Sequence, residues 1–144
     1  MYEEDLPALA TRVIDLLSQK ETGKAKVLFL EGDLGAGKTT FTKSLAEALG
    51  IHKEEVKSPT FILKKEYNAD HPIFKKLIHI DAYRFVDPHE VKALRLEDDM
   101  TSPSSIIAIE WPSKMAKIDK DMSLSFAVID DRTRAVTISH EEEY

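Results

Sequence analysis

Leu6, Leu9, Ala10, Val13, Ile14 and Leu17 recur at intervals of three and four residues, which puts them on one face of a helix. That helix is predicted from about Pro7 to Lys20, with Asp5 able to cap it and Pro7 tolerated in its first turn. Gly23 marks a break. Val27-Leu28-Phe29-Leu30 is then a continuous apolar run, the pattern of a strand buried on both faces. A second helix is predicted from Thr39 to Leu49, closed by Gly50. Beyond Gly50 the pattern turns to strands. Thr60 to Tyr67 is one, and Leu77-Ile78-His79-Ile80, ending at Asp81, is another. Asp87-Pro88-His89-Glu90 opens a short helical stretch through Leu96, with Asp87 as cap, Pro88 at the first helical position and Glu90 as the matching acid. Ile106-Ile107-Ala108-Ile109 is a further buried strand, ending at Glu110. Leu124 to Ile129 and Ala135 to Ser139 join through Asp130-Asp131-Arg132-Thr133 as a hairpin, which is antiparallel. The expected fold is α/β, three-layered, with a mixed parallel and antiparallel central sheet.

The 144 residues fit one domain with one core, so residues 1–144 are expected to form a single unit. No apolar run reaches the roughly 18–20 residues that span a bilayer. No basic stretch precedes an apolar one at the N-terminus, so no secretory signal is expected. The chain has no cysteine, which removes disulfides and thiolate metal sites and agrees with a cytoplasmic location. Its formal charge is -6. Such a surface does not by itself attract a phosphate backbone, so contact with nucleic acid would fall to a partner. Glu141-Glu142-Glu143 reads as a solvated terminal run.

Chemistry enters between the first strand and the second helix. Residues 32 to 39 read Gly32-Asp33-Leu34-Gly35-Ala36-Gly37-Lys38-Thr39 and match G-x-x-x-x-G-K-[ST], a loop that wraps nucleotide phosphates. The chain has five glycines, and three fall in these eight positions. Backbone amides of such a loop converge on phosphate oxygens, and the helix that follows adds its positive end. Lys38 can reach the β- and γ-phosphates, and Thr39 can ligate Mg²⁺. Thr40 either lines the phosphate pocket or is a polar residue of the first turn. A carboxylate facing phosphates would repel them, so Asp33 and Glu31 are expected to point away or to make local hydrogen bonds.

A magnesium site also draws on carboxylates and waters. Asp81 and Glu110 each stand where an apolar strand stops, at the edge where open α/β sheets bind ligands. Either can support the ion or orient the attacking water, and either can be a solvated acid. Pro59 restricts Ser58 to extended geometry, so Ser58-Pro59-Thr60 reads as a γ-phosphate sensor or as a plain strand entry. Trp111 either stacks on a partner or substrate or fills a gap in the core. Tyr83 and Arg84 suit a surface contact, and Arg84 can equally be a solvated arginine. The five histidines show no metal-ligand spacing, and His79 reads as a hydrogen-bonded strand residue.

The guanine-reading Asn-Lys-x-Asp and the Asp-x-x-Gly switch of GTPases are absent, which favours ATP. Four blocks then carry a family resemblance: Gly32 to Phe41, Ser58-Pro59-Thr60-Phe61, His79-Ile80-Asp81-Ala82-Tyr83-Arg84 and Ile109-Glu110-Trp111-Pro112. In this order they resemble the TsaE family, also called YjeE. Ile80 and Ala82 stand where that family commonly has Phe and Leu. Ser102-Pro103-Ser104-Ser105 replaces a segment in which many members have glycine.

The resemblance implies a P-loop NTPase fold and an ATPase that uses ATP and Mg²⁺. It implies a role in forming threonylcarbamoyladenosine beside the tRNA anticodon, with TsaD and TsaB as protein partners and tRNA met only through the complex. It makes Asp81, Glu110 and Lys38 the expected catalytic set. The expected nucleotide-binding set is Asp33, Leu34, Gly35, Ala36, Gly37, Lys38, Thr39, Thr40 and Thr60, with Thr39 and Glu110 holding magnesium. Weak ATPase activity is expected without partners. A small-metabolite kinase and a nucleotide-gated adaptor with little turnover are the alternatives.

Overall fold

The computed structural model describes residues 5–20, 23–32, 37–52, 64–81, 96–111 and 120–140. Helix α1 (Leu6–Ser18) is followed by β1 (Lys26–Gly32), α2 (Lys38–Ala48), β2 (Lys64–Asn68), β3 (Lys76–Asp81), the short α3 (Leu96–Asp99), β4 (Ser105–Glu110), β5 (Met122–Val128) and β6 (Arg134–His140). The six strands form one sheet in the order β2-β3-β4-β1-β5-β6. The inner four run parallel. Antiparallel β2 and β6 close the two edges. The chain therefore has an α/β fold with a mixed sheet.

The six apolar residues that mark α1 in the sequence are its buried residues. Asp5 departs from expectation. It occupies the N-cap position with φ -85° and ψ -11°, and its side chain makes no capping bond. A capping residue needs extended backbone to aim its oxygen at the free amides of the first turn, and Asp5 is already helical.

Side-chain alternation sorts the strands into two faces. Leu28 and Leu30 of β1, Leu77 of β3, and Ile106 and Ala108 of β4 join the buried faces of α1 and α2 in the larger core. Val27, Ile78, Ile80, Ile107 and Ile109 face the other way, into a smaller core with Ala25 and Leu96 of α3. All six residues of β4 are buried, which is why its sequence shows no alternation. Ile80, one of the departures from the family pattern, lies fully within the smaller core.

The ends of α2 are fixed differently. At its C-terminus the Gly50 amide donates to Glu47 (3.0 Å) and the Ile51 amide to Ala46 (2.9 Å), the paired bonds of a Schellman motif. Leu49 is thus the C-cap and Gly50 the residue after it, at φ 80°. A Cβ on Gly50 would stand 2.5 Å from the Asp70 carbonyl oxygen, while the Asp70 amide donates to the Leu49 carbonyl at 2.9 Å. The helix end is therefore pressed directly onto the turn between β2 and β3.

Edge strand β2 buries only Tyr67 and carries charge instead. Lys64 reaches Asp99 (2.5 Å) and Glu66 (3.3 Å), and Lys76 reaches Glu66 (3.6 Å). Charged side chains of this kind guard a sheet edge against further pairing. Before β4 the chain turns at Ser102–Ser105 without glycine, the Ser105 amide donating to the Ser102 carbonyl at 3.2 Å. The predicted hairpin is present, with Val128 opposite Arg134. Asp130 Oδ1 accepts the amides of Arg132 (2.9 Å) and Thr133 (2.8 Å). Thr60 to Leu63, the predicted helical stretch from Asp87 up to Arg95 and Glu141 to Glu143 lie outside the described residues.

Candidate nucleotide site

β1 leaves the sheet at Gly32, whose φ is 140°. A Cβ there would lie 2.5 Å from the Phe126 carbonyl oxygen on β5, so only glycine brings the strand end this close to its neighbour. Asp33, Leu34, Gly35 and Ala36 lie outside the described residues. The chain is described again at Gly37, the N-cap of α2, with φ 110°. No side-chain oxygen caps this terminus, and its first turn has no acid. The helix therefore presents its positive end without a neutralising group of its own. Phe41 is fully buried and meets Phe126 with ring centroids 5.7 Å apart, which fastens the first turn to the end of β5.

Lys38 is the first residue of α2 and is only 4% exposed. Its Nζ lies 2.5 Å from the Gly32 carbonyl oxygen and 3.8 Å from the centroid of the Trp111 ring. A buried ammonium needs such partners, because losing its hydration is costly. Trp111 reaches this position with φ 59°, a left-handed conformation that is uncommon for a bulky residue. It also packs against the smaller core. Its observed surroundings thus join core packing to a contact with the loop lysine, a combination that motif reading did not reveal. Thr39 and Thr40 follow Lys38 and are half-buried.

The parallel register aligns the strand ends. Leu30 pairs with Glu110, and Glu110 with Asp81. Alternation puts Asp81 with Leu77 and His79, and Glu110 with Ile106 and Ala108, on the sheet face that carries α2. Toward the carboxyl edge this face changes from apolar to polar. Glu110 is 4% exposed and His79 fully buried, with Nε2 of His79 donating to Oε2 of Glu110 at 2.6 Å. Asp81 is half-buried at the same edge. Glu31 lies on the opposite face and turns toward β5, accepting the hydroxyls of Ser123 (3.3 Å) and Ser125 (3.4 Å).

Among the described residues no group of three or more His, Asp or Glu could hold a metal ion together. The oxygen donors of Glu110 and Thr39 are nonetheless chemically suited to magnesium, a hard cation that keeps several waters and takes few protein ligands. Ser58, Pro59, Thr60, Tyr83, Arg84 and Pro112 lie outside the described residues. Sequence reading anticipated a hydrogen-bonded His79 but not its partner. The available signal was two adjacent parallel strands, each ending in an acid, with the histidine two residues before one of them.

The model of a family described as threonylcarbamoyl adenosine biosynthesis protein TsaE matches residues 2–137. This chain belongs to the TsaE family. The Haemophilus influenzae tRNA threonylcarbamoyladenosine biosynthesis protein TsaE is 41% identical over 100 residues, covering 69% of this chain and 60% of the relative. The Aquifex aeolicus protein of the same description is 39% identical over 139 residues, covering 94% and 90%. The crystal structure of Bacillus subtilis YdiB superposes with a TM-score of 0.65 at 28% identity, covering 97% of this chain and 81% of that one. Among the described residues of this TsaE-family chain, no helix is long and apolar enough to cross a membrane.

Proposed function

We propose that this chain is a single-domain, three-layer P-loop ATPase over residues 1–144, hydrolysing ATP with magnesium in support of threonylcarbamoyladenosine formation on tRNA. TsaD and TsaB are its proposed protein partners, with tRNA met through them. Membership of the TsaE family and the names its relatives carry support this reading. The observation that carries the site is the convergence of Lys38 and the uncapped end of α2 with the acids of β3 and β4 at one edge of the sheet.

In this reading the backbone from Asp33 to Gly37 and the hydroxyls of Thr39, Thr40 and Thr60 bind the phosphates. Lys38 leaves the Gly32 carbonyl and the Trp111 ring to place its charge on them. Thr39 and Glu110 hold the magnesium ion. When bound, the ion neutralises charge on the terminal phosphates. Asp81 orients the attacking water. The Gly32 carbonyl and the Trp111 ring thus hold the ammonium beside the uncapped end of α2, where the phosphates would enter.

Phosphate release from ATP, measured with and without TsaD, TsaB and tRNA, tests the proposal. Slow release alone and a several-fold rise with partners is the expected result. No rise, under conditions where the complex modifies tRNA, would overturn it. A phosphorylated metabolite in place of free phosphate would replace it with the kinase reading.

A further inference from the structure

We infer that His79 is a positioning residue for Glu110, fixing the orientation in which that carboxylate meets the magnesium ion. The inference rests on the proposed reading of Glu110 as the magnesium-supporting acid. Glu110 ends β4 and has three rotatable side-chain bonds, so the strand alone does not determine where its oxygens point. His79 lies on the neighbouring parallel strand, paired with Ala108, while Glu110 pairs with Asp81. The two are thus diagonal neighbours on one sheet face, and Nε2 of His79 holds Oε2 of Glu110 at 2.6 Å. That bond engages one carboxylate oxygen and so sets the plane in which Oε1 lies.

The environment of the histidine argues that this bond is the reason for its presence. His79 is fully buried, and its Nδ1 has no hydrogen-bond partner among the described residues. A buried polar atom without a partner is destabilising, and an apolar side chain at this position would avoid it. Leu77, two residues earlier on the same face, is an apolar residue packed in the larger core. Packing alone would therefore favour another Leu at 79. Groups that orient a metal-binding side chain through a hydrogen bond commonly affect metal affinity by 10–100-fold.

The test compares wild type with His79→Leu, which withdraws the donor and keeps apolar volume, and His79→Gln, which keeps a donor at similar reach. Binding of Mn²⁺ to the complex with a non-hydrolysable ATP analogue is followed by electron paramagnetic resonance, alongside thermal melting. His79→Leu, which leaves the buried Glu110 carboxylate without this donor, should melt lower than wild type and bind Mn²⁺ at least about 10-fold more weakly. His79→Gln should recover most of that loss, and metal-free nucleotide affinity should be the same in all three. Should the leucine variant not fold, His79→Asn, whose shorter amide withdraws the donor from Glu110, is read by the same criteria. Undiminished Mn²⁺ affinity in the variant, with wild-type binding intact, overturns the inference alone. Failure of the wild type to bind the Mn²⁺–nucleotide pair overturns the reading of the site and the inference with it.

Discussion

The Nζ of Lys38 lies 3.8 Å from the centre of the Trp111 ring, and this is the only tryptophan in the chain. Nucleotide that draws the ammonium onto phosphate removes a charge from the face of the sole indole. Intrinsic fluorescence should therefore change saturably on titration with ATP or ADP. Lys38→Ala should abolish the response. Trp111→Ala removes both the cation–π contact, worth about 0.5–2 kcal/mol, and its packing against the smaller core, so the urea midpoint of the nucleotide-free protein should fall.

Glu110→Gln separates binding from turnover. It preserves shape while removing the charge proposed to hold magnesium. ATP binding by equilibrium dialysis should persist, and hydrolysis should fall by about 100-fold or more. Equal loss of binding and hydrolysis would count against the assignment.

Gly32 and Gly23 offer a controlled comparison. Both have positive φ, but a Cβ at Gly32 would meet the Phe126 carbonyl at 2.5 Å, while none lies within 4 Å at Gly23. Gly32→Ala should cost about 1–3 kcal/mol in urea unfolding and weaken nucleotide binding. Gly23→Ala carries conformational strain alone, about 1 kcal/mol, and should leave binding intact.

The β5–β6 turn predicts a pH dependence. The Arg132 amide, then the Thr133 hydrogen bonds, hold the Asp130 carboxyl below its ordinary value. A carboxyl lowered by folding adds stability that is full above its unfolded value and disappears as pH falls through the folded one. The difference in urea midpoint between wild type and Asp130→Ala should therefore be largest near neutrality and shrink progressively on acidification.

Much of the fold was legible because its signals are local. Val27–Leu30 and Ile106–Ile109 are apolar runs long enough to identify buried strands, and the hairpin turn carries its own Asx chemistry at Asp130. Edge strand β2 was harder, since only Tyr67 of its five residues is buried and its antiparallel partner is set by long-range register. Asp5 has a capping side chain but the wrong backbone for it. In the candidate site, Lys38, Asp81 and Glu110 are proposed from motif and strand end. The bond between His79 and Glu110 spans 31 positions and depends on β3 lying beside β4. The φ of Trp111 has no sequence signature of its own, because most left-handed positions are announced by glycine or asparagine.

Gly50 has a mechanical meaning beyond its turn. Sliding α2 by a single residue's rise, about 1.5 Å, against a fixed β2–β3 turn would break the bond from the Asp70 amide to the Leu49 carbonyl. At the other end, Phe41 is locked against Phe126. The helix is thus a rivet, not a piston. Any shift of α2 along its axis would therefore have to carry the β2–β3 turn and the end of β5 with it.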